Sequence, residues 1–141
     1  MNNDKGNSMK TLYGIALHIV SIIIFSSLIV AQNNELDDYR SSSSIRDQEV
    51  KIESLKNFIT QYPSGKYIGR AYFDLFNLYL NKNQDSSALY YADQYLNTFP
   101  EAARMNAYNS VAYTLAEKKM GLTAAAIYAQ KAVDLARTAS I

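Results

Sequence analysis

The sequence predicts an all-α protein, a short α-solenoid of antiparallel helix pairs with about five helices in roughly two and a half repeats. Three observations carry that prediction. From about Ile45 onward apolar residues recur every three or four positions, the spacing of one helix face, and no stretch alternates at period two as a half-buried strand would. The segment Phe58-Ile59-Thr60-Gln61-Tyr62-Pro63 reads aromatic, aliphatic, polar, polar, aromatic, proline, and Tyr95-Leu96-Asn97-Thr98-Phe99-Pro100 repeats it 37 residues later. Both prolines of the chain stand in that pattern, each closing one helical stretch and preceding another. A fixed period in the thirties with two helices in each unit is the mark of stacked helix pairs.

The N-terminus reads as a targeting segment. Lys5 and Lys10 form a positive region, the apolar run Leu12 to Val30 follows, and Ala31 offers a small residue for cleavage before polar Gln32-Asn33-Asn34. Residues 1–31 are therefore either a cleaved signal peptide or a retained membrane anchor, since roughly 20 apolar residues also suffice to span a bilayer. Residues 32–44, ending in Ser41-Ser42-Ser43-Ser44, have little apolar surface and predict a flexible Ser-rich linker.

The repeat domain is expected over residues 45–138. Its first helix carries Val50, Ile52, Leu55, Phe58, Ile59 and Tyr62 and stops at Pro63. Ser64 is a natural cap for a second helix running to about Asn81, apolar on nearly all sides and so buried on more than one. Asp85 is a plausible cap for the third helix, which Pro100 ends. The fourth covers about Glu101 to Lys119, Met120-Gly121-Leu122 turns the chain, and Thr123 caps a fifth that runs to about Arg137.

Composition narrows the chemistry. The chain has no Cys, which excludes disulfides, thiolate metal sites and cysteine nucleophiles, and its one His is His18. Removal of residues 1–31 would take His18 with Asp4, Lys5 and Lys10, so 14 basic residues become 12, 13 acidic residues become 12, and the net charge becomes zero. That balance offers no cationic footprint for nucleic acid. Without His or Cys, acid–base work would fall to Asp, Glu, Lys or Tyr, and no enzymatic activity, metal or cofactor is expected. Glu35 and Asp37-Asp38 read as solvated carboxylates in the linker, Tyr90, Tyr91 and Tyr95 as packing aromatics, and Lys118-Lys119 as cations favouring a helix C-terminus.

The residues resemble the tetratricopeptide repeat. Tyr72, Leu75 and Tyr79 follow its first-helix pattern, Ala88 its second-helix Ala, and Pro100 its terminal Pro, with Phe76 in place of the usual small residue and Ala92 and Tyr95 as a large–small exchange. In the next unit Tyr108, Val111, Ala112 and Leu115 follow the first helix and, after a one-residue insertion, Ala125, Ala129 and Ala132 the second. The stretch from Phe58 through Tyr79 is similar to repeats of bacterial envelope proteins. Asn109-Ser110-Val111-Ala112-Tyr113 is similar to helical regions that precede thioredoxin-like domains in secreted proteins.

The resemblance implies an exported, periplasmic or envelope-associated scaffold that mediates protein–protein interaction. It implies a partner-binding concave face lined by the first helix of each pair: Arg70, Phe73, Asn77 and Leu80, then Asn106, Asn109, Tyr113 and Glu117. Asn77 stands where some members hold a peptide carboxylate, but the Lys that accompanies it there is Phe73 here. The alternative is a helical spacer or truncated accessory region of a larger exported protein. The Ala-rich fifth helix leaves an apolar outer side, which a longer chain, a partner or a second copy forming a homodimer would cover.

Overall fold

The computed structural model describes residues 34–139, which are almost wholly helical and contain no strand. The targeting segment expected at 1–31 lies outside them. The chain divides into two compact units, Met1–Asp37 and Asp38–Ile141. The first contributes residues 34–37, which are helical, and the second carries the architecture that follows. Helix α1 covers residues 34–43. After it come α2 (Gln48–Gln61), α3 (Ile68–Asn81), α4 (Asp85–Asn97), a short 3-10 turn (Glu101–Ala103), α5 (Met105–Lys118) and α6 (Leu122–Thr138). Among the described residues no helix is long and apolar enough to cross a membrane.

The helix starts show the repeat directly. Helices α2, α4 and α6 begin at 48, 85 and 122, and α3 and α5 at 68 and 105, each 37 residues after its counterpart. Buried positions on the first helix of each pair recur at 36: Ala71, Leu75 and Phe76 in α3 correspond to Ala107, Val111 and Ala112 in α5. The Phe58 motif also has a physical content. Phe58 packs on Tyr62 with ring centroids 5.0 Å apart, and 37 residues later Tyr95 packs on Phe99 at 5.2 Å. The aromatic pair closes the last turn of the second helix and the proline then redirects the chain.

Helix α3 pairs most extensively with α4, and α5 with α6. Turns of three residues join each pair, which forces neighbours to run antiparallel. At the far end of the first pair the start of α3 meets the end of α4 so closely that a Cβ on Gly69 would lie 2.9 Å from Thr98 Oγ1. Two core clusters result. Ile52, Leu55, Phe58, Ala71, Leu75 and Leu78 join α2 to α3, and a second set around Phe76, Leu80, Ala92, Val111 and Leu115 joins α3 and α4 to α5 and α6. Tyr79 and Tyr91, stacked at 5.3 Å, pack against both. Leu55, Leu75 and Val111 have no exposed surface, so truncating either leucine to Ala should cost roughly 2–5 kcal/mol.

The expected linker at 32–44 is corrected, because residues 34–43 are helix. Tyr39 supplies the anchor that a serine run lacks. Its ring stacks on Tyr67 and tilts against Phe58, both at 5.7 Å, and its hydroxyl donates to Asp74 at 2.9 Å. Asp38, read as a solvated carboxylate, accepts from the Tyr62 hydroxyl at 2.6 Å. The serines end the helix themselves: Ser43 and Ser44 hydroxyls donate back to the carbonyls of Arg40 and Ser41, while buried Ser42 accepts from Ser54 at 2.9 Å. This helix stands before α2 as α3 stands before α4, so the described chain holds a third pair where two and a half repeats were expected.

Helix starts are less regular than the sequence suggests. Asp47 caps α2, accepting from the Val50 amide at 3.0 Å, whereas Ser64, Asp85 and Thr123 cap nothing. Ser64 lies in a turn closed by the Gly65 amide on the Tyr62 carbonyl, so α3 begins only at Ile68. Pro100 opens the 3-10 turn, and α5 follows it at Met105.

Candidate partner-binding surface

On α3 and α5, the first helices of two successive pairs, one stripe lies largely outside the core. On α5 the residues Asn106, Asn109, Tyr113 and Glu117 follow one another at three- and four-residue steps and are all exposed, Tyr113 by 67%. Thirty-six residues earlier the same stripe falls on Arg70, Phe73, Asn77 and Asn81. Arg70 is exposed, with its guanidinium 5.6 Å from the centroid of the Tyr67 ring.

Two of the expected residues are placed differently. Leu80 is 1% exposed and belongs to the core between the pairs, so it cannot line a binding face. Its neighbour Asn81 is exposed and is the true counterpart of Glu117, one residue further along the helix than the sequence reading placed it. Phe73 is half-buried between Phe76 at 5.6 Å and Tyr95 at 4.9 Å, a packing role that leaves only its edge on the stripe. Asn77 is half-buried too, and its amide nitrogen donates to the Phe73 carbonyl at 2.9 Å. The structure thus leaves Arg70, Asn77, Asn81, Asn106, Asn109, Tyr113 and Glu117 on the stripe. Asn77, Asn106 and Asn109 were read from the sequence, and Asn81 was not. What the sequence lacked was the register that separates buried Leu80 from exposed Asn81.

Asn109 and Tyr113 also border a groove of about 400 Å³ between α5 and α6. Its floor and far wall come from Ala112, Ala116, Leu122, Ala125, Ala126 and Ala129. The alanines of α6 were read from the sequence as an apolar outer side for a partner or second copy, whereas Ala112, Ala116 and Leu122 were not singled out for it.

The tyrosines elsewhere serve packing. Tyr72, Tyr79, Tyr90 and Tyr91 form a run of ring contacts across α3 and α4. Lys56 of α2 stands over Tyr79, whose hydroxyl raises the lysine pKa by hydrogen bonding more than desolvation lowers it. Burial pushes the Tyr72, Tyr91 and Tyr95 phenols up. Tyr128 of α6 reaches back one pair to donate to Asp93 of α4 at 2.6 Å, and burial together with that bond holds its proton firmly. Lys131 lies over the rings of both Tyr108 and Tyr128. Among the described residues no group of three His, Asp or Glu side chains is placed to share a metal ion, and every buried side-chain polar atom has a partner. Comparison with family models, with characterised proteins and with solved structures finds no match for the chain.

Proposed function

We propose that this chain is an exported, non-catalytic scaffold of tetratricopeptide-like helix pairs that binds a protein segment in the cell envelope. The observation that carries the reading is a polar stripe at the same position of two successive pairs, exposed along its length on α5 (Asn106, Asn109, Tyr113 and Glu117) and at Arg70 and Asn81 on α3, with Asn77 half-buried between them. Each Asn offers a donor and an acceptor from one planar group, which suits the alternating amides and carbonyls of a peptide backbone. Asn77 is set for this: one of its two N–H donors is held by the Phe73 carbonyl, which fixes the amide and leaves its oxygen and second N–H for a ligand. Tyr113 adds a large, stiff side chain of the kind that anchors interfaces. Arg70 and Glu117 stand at the two ends of the surface with opposite charge and would fix the direction of the bound segment.

Export rests on the basic and apolar residues before Ala31, and the absence of catalysis on a sequence whose one His lies in that segment and which has no Cys. The test is capture in place. The full chain carrying a photoreactive residue at Asn106 should cross-link to one discrete envelope protein. The triple change Asn77→Ala, Asn81→Ala and Asn109→Ala should abolish the adduct while the helical circular dichroism signal is unchanged. An adduct indifferent to the triple change, or none at all, would leave the chain as a helical spacer for a larger exported protein. That second reading is favoured by one observation: Phe73 is already committed to packing.

A further inference from the structure

The groove between α5 and α6 is the counterpart of a groove that is already filled one pair earlier. Shifted back by 36 residues, Ala112 and Ala116 of α5 fall on Phe76 and Leu80 of α3. Shifted back by 37, Ala125, Ala126 and Ala129 of α6 fall on Ala88, Leu89 and Ala92 of α4. Phe76, Leu80, Ala88 and Ala92 are buried, with Leu89 packed beside them, in one cluster with Ala107, Val111 and Leu115 of α5. The surface between the helices of a pair is therefore a helix-docking surface, and in the α5–α6 pair it lies open among the described residues: Leu122 is 59% exposed and Ala126 and Ala129 are exposed beside it.

The open groove differs from the filled one in shape. Where Phe76, Leu80 and Leu89 gave bulk, Ala112, Ala116 and Ala126 give little, so the groove takes large apolar side chains where its counterpart takes the Ala107, Val111 and Leu115 of α5. The same face supplies them. Leu122, Ala126, Ala129 and Val133 succeed one another at four, three and four residues, a single stripe of α6 with bulk at its two ends and a hollow between. Val133 is 44% exposed. That stripe bears no charge, so nothing on it opposes its meeting a like surface. A face that holds both projections and the hollow to receive them is what a two-fold interface requires, because the same residues must serve as each half.

We infer that the α5–α6 face is the dimer interface of this protein, with Leu122 and Val133 of one copy seated against the alanines of the other. This surface meets the Asn stripe only at Asn109 and Tyr113, which border both, and takes in none of the stripe's α3 residues. The test uses the absence of cysteine from the chain. Full-length single-cysteine variants Leu122→Cys and Ala129→Cys, treated in intact cells with a short bismaleimide, should give a product of twice the chain mass that carries both tags when two differently tagged copies are co-expressed. Val50→Cys on α2 and Tyr90→Cys on α4, both at exposed apolar positions, should not. Adding Ala126→Asp to Ala129→Cys, at a site where the exposed side chain leaves the fold intact, should cut the product at least tenfold. No dimer from Ala129→Cys, equal yield from all four positions, or an adduct of Ala129→Cys with a different protein would each overturn the inference. Asn77→Ala and Asn81→Ala, both on α3 and outside the groove, should leave the dimer unchanged, which separates its failure from that of the peptide-binding reading.

Discussion

Lys119 and Gly121 both hold positive φ, 55° and 53°, in the three-residue turn between α5 and α6. Glycine suits that backbone, and it is the positive φ rather than crowding that calls for it, since a Cβ on Gly121 would meet Leu115 and Leu89 only at ordinary contact distances of 3.5 and 3.6 Å. Lysine does not suit it, since the left-handed region costs an L-residue roughly 1–2 kcal/mol. Lys119→Gly should therefore raise stability by about 0.5–1 kcal/mol after the greater freedom of glycine in the unfolded chain is set against it, measured as a shift of the urea midpoint. Asn83, at φ 55° in the turn between α3 and α4, is the residue type that best tolerates this geometry among those with a side chain. Tyr39 gives a pH-dependent counterpart. Burial, reinforced by the Asp74 carboxylate, pushes its phenol from the ordinary 10.0 up to about 12. The folded chain keeps that proton longer than the unfolded chain does. The stabilisation is therefore whole below pH 10 and is lost as pH rises through about 12. Urea midpoints measured from pH 9 upward should fall across that window, and Tyr39→Phe should flatten the fall.

At the scale of helices, most of the architecture was legible, because proline and apolar period are local signals. Pro63 and Pro100 close α2 and the α4 end as expected, and the pairing of α3 with α4 and of α5 with α6 follows from short turns. Helix α1 was not legible. Four serines in a row carry no apolar period, and what orders them is Tyr39 meeting Phe58, Tyr67 and Asp74, residues 19 to 35 positions away that no window on the serines contains. Leu80 and Asn81 fail for a related reason: both lie near the same helix face, and only the packing of α5 decides which is covered. Helix approach gives its own prediction. Gly69→Ala would gain helix propensity but drive its Cβ to 2.9 Å from Thr98 Oγ1, which is tied to the Tyr95 carbonyl at 2.7 Å. The substitution should be destabilising alone and become stabilising, by up to about 1 kcal/mol, in a Thr98→Ala background that removes the hydroxyl. Thermal melts of the two single variants and the double variant close that cycle.

Across the whole repeat unit the question is whether two cores melt as one. Tyr79 and Tyr91, stacked with their planes 6° apart, belong to the edge of both clusters and are the aromatic material between them. The native chain should unfold in a single transition. Tyr91→Ala should cost about 2–3 kcal/mol and broaden or split the transition, with the α5–α6 end losing structure first because its outer face has fewer buried partners. Calorimetry, comparing calorimetric with van't Hoff enthalpy, reads the difference.

The register shared by the filled and the open groove has a consequence for how such a chain can change length. A deletion of one or two residues inside a helix turns every later residue of that helix by about 100° or 200° and sets core positions facing water. An insertion of a whole pair, 36 or 37 residues, carries its own docking groove and its own docking helix, and leaves each existing side chain in its former surroundings. Length in this molecule is quantised: whole pairs can be added or lost in one step, whereas changes of one or two residues are confined to turns such as 82–84 and 119–121.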